Sequence, residues 1–355
     1  MTALSNMSRL QVSTETLLQL LKVYEAKGKE FYYDELFDRD KDVFLKKIIE
    51  KNVYFFGKIL KLPLTDARLK MLSKKKMIAK NKVEVLLINI KQALTTTQKH
   101  PKEFELYTNE FDDLRKVLSK DYDAIKFSPY EQKDDGTIFT SKKIKDKREV
   151  LESIIQEFMK QSKTKQYELT QLITNFYIDF MNSNLFTAHV DVISYIGLYA
   201  FLLKEFNVFK YVSFFELFYE HFEQYTLALN QANYYYNTGY PNTDMLSKLL
   251  IDILVIAYEE VNKFSKEYSF EKTLNKSDSI EASIKLGKEI FSKDELRQLH
   301  PTVSSITIDR TLKRLKDEGL IQPLGKGRSS KWQRLDPDKR RGGRQLDIFQ
   351  FTSEV

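Results

Sequence analysis

Between Arg310 and Arg344 the chain carries twelve Lys or Arg residues against four Asp or Glu, a local net charge of +8 where the whole protein has +7. The remainder is therefore close to neutral, and the positive field is focused on one segment. Arg310, Lys313, Arg314 and Lys316 interleave at helical spacing with the apolar Ile308, Leu312 and Leu315, so one face of a helix is cationic and the other is built for a core. The glycine-flanked loop Gly325-Lys326-Gly327-Arg328-Ser329-Ser330 follows, and then Lys331. Cations on a helix and on a loop beside it neutralise phosphates, which supplies most of the sequence-independent affinity for nucleic acid. Thr307, Arg310, Thr311, Lys313, Arg314, Lys326, Arg328 and Lys331 are the expected contacts to double-stranded DNA.

The elements around these residues can be read in order. Glu289-Ile290-Phe291 is a short β-type run, and Ser292 is a good N-cap for a helix Lys293 to Leu299. A break at His300-Pro301-Thr302-Val303 leads into a second helix from Ser304 to Glu318, which Gly319 stops. Leu320 to Leu324 and Lys331 to Leu335 read as paired strands joined by the basic loop. This order resembles a winged helix-turn-helix over residues 281–338. The resemblance implies that the second helix faces the major groove and the loop meets the backbone beside it. Thr307, Arg310, Thr311 and Arg314 are expected outward, with Ile308, Leu312 and Leu315 inward. Residues 339–355 form a basic tail with Arg340, Arg341 and Arg344. Winged helices also dock proteins or dimerise, so a protein partner and a homodimer stand beside DNA as expectations.

Elsewhere the candidates for chemistry are few. His189 and Asp191, two residues apart at the start of a helix, have the types for an acid–base or metal pair. Two ligands do not complete a zinc site, however, and a His beside a helix start is more often a cap or a surface residue. His100, His221 and His300 carry no spacing signal. No Gly-x-Gly-x-x-Gly, Walker loop, Gly-x-Ser-x-Gly or His-Glu-x-x-His occurs. With no cysteine, disulfides, thiolate metal sites and Cys nucleophiles are excluded. The sequence leans away from an enzyme, and no cofactor or metal is expected.

The whole chain of 355 residues holds only 11 Gly and 7 Pro, which favours long helices and few turns. The apolar region Val190 to Val212 is interrupted by Asp191, Lys204, Glu205 and Lys210, so a buried helix is expected rather than a membrane span. No signal peptide is visible, and a cytoplasmic location is expected. Apolar periodicity predicts helices over 13–27 (with Leu17, Leu18, Leu20, Leu21 and Tyr24 on the apolar side), 40–59, 67–73, 80–94, 109–118, 147–162, 168–182, 190–206, 214–231 and 243–264. The irregular stretch 119–146, with a short hairpin near Thr137 to Thr140, is either a flap or a long connector. The aromatic-rich segments, Tyr234-Tyr235-Tyr236 among them, read as core or dimer contact rather than as a base-stacking surface. The expected organisation is mainly α: a helical bundle over 1–265 (N-terminal helices over about 1–80, core over 81–265), a polar linker 266–280, and a small α+β unit.

A bundle followed by such a unit resembles bacterial Fic-family proteins over about residues 50 to 335. Ser213 to Ala232, with its Ser-started helix and Tyr-x-x-x-Leu pattern, is similar to the segment after the Fic core. Asn242-Thr243-Asp244 is similar to the start of the last core helix, and Asn89 with Ala93 to an Asn-x-x-x-Ala helix. The resemblance implies a helical core that in the family transfers AMP from ATP to a protein hydroxyl. The family's catalytic loop, His-Pro-Phe-x-Asp-Gly-Asn-Gly-Arg, is not kept. With Phe186 on the motif Phe, Asn184 takes the general-base position and Ala188 the acidic one. His189 and Asp191 then replace the glycines, Val190 the Asn and Val192 the Arg. The family's inhibitory Ser-x-x-x-Glu-Gly has its nearest match in Asn52 to Gly57, with Phe56 in place of Glu. The implied outcome is a regulatory protein whose Fic-like bundle lacks its catalytic residues and serves for sensing or dimerisation. The alternatives are a divergent transferase and a non-enzymatic scaffold.

Overall fold

Helices start where the sequence supplies a cap. In the computed structural model, which describes residues 2–75, 77–129, 146–273, 276–301, 303–325 and 331–335, α1 (Thr14–Lys27) begins at Ser13, whose hydroxyl accepts the Thr16 N–H. After α2 (Glu30–Phe37) and α3 (Lys41–Ile59), Thr65 caps α4 (Asp66–Lys74) and Asn81 caps α5 (Lys82–Lys99). Then come α6 (Thr108–Leu118), α7 (Arg148–Thr164), α8 (Leu169–Asn182), α9 (Val190–Glu205), α10 (Phe214–Glu220), α11 (Phe222–Tyr234) and α12 (Asp244–Thr273). The chain divides into two compact units, Met1–Lys263 and Phe264–Val355.

In the first unit α9 is the centre. It is buried on every side from Val192 to Ala200, as a helix apolar around its circumference must be. α8 packs on α7 and α9, while α3 packs on α5 and α10. Gly197 is needed where it stands, because a Cβ there would lie 2.9 Å from the Phe111 ring. The buried polar groups are joined rather than scattered. Asn52 of α3 donates to the Tyr199 hydroxyl of α9 (3.0 Å). Its Oδ1 accepts the Ser213 hydroxyl (2.8 Å) and the Phe215 N–H (3.2 Å) of α10. A short 3-10 turn, Leu4–Arg9, closes the bundle on α7 and α8. The fully buried Asp179 of α8 accepts the N–H groups of Ala3 (2.6 Å) and Leu4 (2.9 Å) and the Tyr236 hydroxyl (3.1 Å). Burial pushes the Asp179 carboxyl above its usual range against the pull of those donors.

Several expected elements differ. In α1 it is Leu20 and Val23 that are buried, while Leu17, Leu18 and Leu21 are more than half exposed. The helix expected over 214–231 is two helices, broken at His221, whose Nδ1 lies 2.9 Å from the Leu217 carbonyl oxygen. The polar stretch read as a linker is largely helical, since α12 runs to Thr273 and α13 (Lys276–Leu286) follows. Its polar residues include no Gly or Pro that would stop a helix. The predicted hairpin near Thr137 lies outside the described residues. Among the described residues no helix is long and apolar enough to cross a membrane.

In the second unit α13 leads to β1 (Ile290–Ser292), α14 (Lys293–Leu299), α15 (Ser305–Asp317), β2 (Ile321–Pro323) and β3 (Lys331–Arg334). The antiparallel sheet has the order β1-β3-β2, with Phe291 and Pro323 both opposite Trp332. Ser292 and Glu295 form a reciprocal capping box at α14. Ile280, Ile284, Phe291, Leu296, Ile308, Leu312, Leu315 and Ile321 make the core, with Val303, Leu320 and Trp332 against it. The mainly α bundle followed by a small α+β unit is thus the observed class.

Replacing Asn52 by Ala leaves the Tyr199 and Ser213 hydroxyls and the Phe215 N–H short of a partner in a dry core. The expected loss is about 3 kcal/mol of unfolding free energy, measured by denaturant titration, with α-helical content unchanged.

Candidate functional site

The segment 182–191, which spans the turn from the end of α8 to the start of α9, is held from three sides. Its Phe186 is buried and packs on Phe127 (centroids 4.8 Å apart) and on Phe180 (6.1 Å). Around that contact the backbone pairs as in a strand: the Ser128 N–H donates to the Leu185 carbonyl (2.9 Å) and the Thr187 N–H to the Lys126 carbonyl (3.0 Å). The irregular stretch after α6 is therefore tied to this loop. Lys147 Nζ donates to the Ser183 carbonyl (2.9 Å), and Asn182 donates to Asn233 of α11 (2.8 Å). The Arg115 and Arg148 guanidinium groups lie 5.6 and 6.0 Å from the Phe127 ring centre.

Two non-glycine residues of this loop are left-handed, Asn184 at φ 46° and His189 at φ 55°. The His189 ring lies 5.5 Å from that of Tyr122 and makes no capping bond to α9. Asn184, Ala188 and Asp191 are exposed, and Val192 is buried. A carboxamide takes no proton near neutral pH, and Ala and Val offer nothing to a metal or phosphate. His189 and Asp191 have no third ligand, because among the described residues no three His, Asp or Glu side chains converge.

In the second unit α15 sorts its residues sharply. Ile308, Thr311, Leu312 and Leu315 are buried, whereas Ile306, Asp309, Arg310, Lys313, Arg314 and Lys316 are exposed. Thr311, expected outward, donates to the Thr307 carbonyl (2.9 Å) and meets the Ser277 hydroxyl of α13 (3.1 Å). It lies three residues after Ile308 and four before Leu315, so helical geometry turns it to the core. Arg314 is exposed but clamped: it donates to Glu281 of α13 (2.6 Å) and to Glu318 (3.1 Å). Lys285 and Arg314 together hold the Glu281 carboxyl below its usual range. Asp309 pairs with Lys293. Among the described residues Arg310 and Lys313 have no ion pair. Thr307 is half-buried in the first turn, where its N–H donates to the capping Ser304. Lys331 is exposed on β3. Lys326 and Arg328 lie outside the described residues, as does the basic tail.

Solved structures of similar fold include the following two. A Fic family protein from Desulfovibrio desulfuricans G20 superposes with a TM-score of 0.52 over 92% of this chain and 97% of its own, at 11% identity. The fold is Fic-like. A Fic domain containing signaling protein from Bacteroides thetaiotaomicron VPI-5482 gives 0.51 over 69% of this chain and 98% of its own, at 14% identity. No protein-family model and no curated protein matches the chain by sequence. At such identities the likeness is one of fold. In the Fic-like bundle the loop 182–191 joins α8 to the central helix α9. His189, which lies where the motif would set its first glycine, has a left-handed backbone, a conformation that glycine adopts freely. Phe56 and Gly57, matched to the inhibitory motif, face the core: Phe56 packs on Phe215 (4.6 Å) and Tyr195 (6.1 Å), and Gly57 faces Leu69.

Sequence reading did not find α13. Its signal is the pair Ile280 and Ile284, four residues apart, which buries against α15. On the same helix Ser283 and Ser279 flank the buried His300 of the turn between α14 and α15, with Ser283 Oγ 2.9 Å from Nε2 and Ser279 Oγ 3.4 Å from Nδ1.

Burial lowers the His300 pKa below its ordinary value. A depressed pKa means that the unfolded chain binds the proton more readily. The contribution is full above about pH 6.5 and is lost as pH falls through the folded-state value. Thermal unfolding followed from about pH 7.5 to about pH 5.5 should show a falling melting temperature that is smaller in His300→Gln.

Proposed function

We propose that this protein is a DNA-binding regulatory protein: the unit from α13 to β3 is a winged helix-turn-helix, and the Fic-like bundle has lost transferase chemistry and serves for sensing or dimerisation. The observation that carries the reading is the outward face of α15, where Arg310 and Lys313 stand without carboxylate partners among the described residues. A helix face whose cations make no ion pair among the described residues, on a support braced by a three-stranded sheet, suits the major groove. Thr307 lies in the first turn of the same helix. Lys331 on the hairpin, Lys326 and Arg328 in its loop, and Arg340, Arg341 and Arg344 beyond it add phosphate contacts. The face that meets DNA is Arg310 and Lys313 rather than Thr311 and Arg314, because the first is buried and the second is bound to α13.

The catalytic side of the reading rests on the loop 182–191. Asn184 takes the place of the proton acceptor, Ala188 of the metal-holding acid and Val192 of the phosphate-binding Arg, which leaves no group for AMP transfer. The left-handed turn at His189 favours a second reading, a divergent nucleotidyl transferase that retains the backbone cradle. Magnesium-ATP separates the two. A ligand bound to the native state raises its melting temperature, so an unchanged midpoint supports the regulator and a clear rise supports the transferase.

Duplex binding by the full chain should weaken linearly in log affinity with log salt. Replacing Lys326 and Arg328 together by Ala should flatten that slope by roughly two units. The weakening should be equal for random and genomic duplexes, because phosphates carry no sequence information. No affinity even at low salt would leave the unit as a protein-docking module.

A further inference from the structure

Ile306 is the anomaly of α15. Every other aliphatic residue of the helix, Ile308, Leu312 and Leu315, is buried, yet Ile306 in the first turn is 63% exposed. It is an i,i+4 neighbour of Arg310, so the two side chains lie side by side on the outward face. Around them the charged residues are already partly committed. Asp309 is neutralised by Lys293, and Arg314 is held by Glu281 and Glu318. Among the described residues, what remains uncommitted in the first two turns of the helix is one branched aliphatic group and one guanidinium.

On the DNA-binding reading given above, we infer that Ile306 and Arg310 are specificity-determining residues that select a thymine close to a guanine in the target duplex. The start of the second helix is the part that reaches base edges in this class of module. In the major groove the apolar group a base presents is the C5 methyl of thymine, and that is the partner Ile306 fits. Guanine presents two acceptors, N7 and O6, which a guanidinium engages in parallel. The Asp309–Lys293 pair keeps a free carboxylate from facing the phosphates or selecting cytosine. Neighbouring positions on one helical face are about 6 Å apart, which corresponds to roughly two base-pair steps of about 3.4 Å. The thymine and guanine should therefore fall within about two base pairs of each other.

The test uses the full chain. Duplexes are selected from a random pool, and the best is remade with uracil at each thymine in turn, which deletes only the methyl group. One uracil should weaken wild-type binding about fourfold, the worth of one buried carbon group. Ile306→Ala should bind the thymine and uracil duplexes alike. Arg310→Ala should lose about tenfold and relax preference at the guanine. Both side chains are exposed, so both variants should fold; Ile306→Ala should keep the salt-dependent affinity for random duplex, whereas Arg310→Ala should flatten its salt slope by up to about one unit. A wild-type chain indifferent to uracil at every position, or an Ile306→Ala chain that still distinguishes the two, overturns the inference while the DNA-binding reading stands. Failure of wild type to bind any duplex at low salt overturns both.

Discussion

From Val192 to Ala200 helix α9 has no side turned to water, and the bundle is organised by that constraint. Each polar group it carries must find a partner inside the protein, because an unpaired donor or acceptor in a dry core costs about 1–3 kcal/mol. Tyr199 reaches Asn52, and Ser194 donates back to the Asp191 carbonyl (2.8 Å). Tyr177 of α8 and Tyr225 of α11, hydroxyls 2.6 Å apart, stand beside Tyr195. Because Asn52 also serves α10, one carboxamide fixes the relative setting of three helices. The loop before α9 inherits this rigidity. Val192 is sealed in the core and Phe186 is pinned to Phe127, so the turn at His189 has little freedom to rearrange.

The second unit meets the same demand for satisfied groups by sorting charge. Glu281 collects Lys285 and Arg314, and Lys293 collects Asp309. These exposed pairs contribute little stability. Their effect is to decide which side chains of α15 stay available. A helix that looks uniformly basic in one dimension becomes, after folding, a face on which Ile306, Arg310, Lys313 and Lys316 are exposed and, among the described residues, in no ion pair.

Much of this was legible in the chain. The strong apolar period of α15, the cap at Ser292 and the glycine stop at Gly319 placed the second unit, and the Fic-like order of helices was readable from segment texture. The inward turn of Thr311 was legible too, since it is three residues from Ile308 and four from Leu315, but its polarity masked the geometry. Other features carried no local signal. The clamp on Arg314 comes from Glu281, 33 residues earlier. The exposure of Leu17, Leu18 and Leu21 reflects which side of α1 the bundle covers, and Leu20 and Val23 are the residues of α1 that it buries. The pairing of the stretch after α6 with the loop 182–191 joins segments that neither periodicity nor turn chemistry links.

The contact of Asp179 with Ala3 and Leu4 has a consequence for synthesis. Ala3 and Leu4 meet this carboxylate across 176 and 175 residues. They therefore leave the ribosome long before their acceptor exists. At about 5–20 residues per second, the interval is roughly ten to thirty-five seconds. Throughout it Leu4 and Met7, fully sheltered in the finished bundle, have no native surface to cover them. A segment translated about 175 residues ahead of its acceptor is thus late to reach its place, and a chaperone would find a long window there.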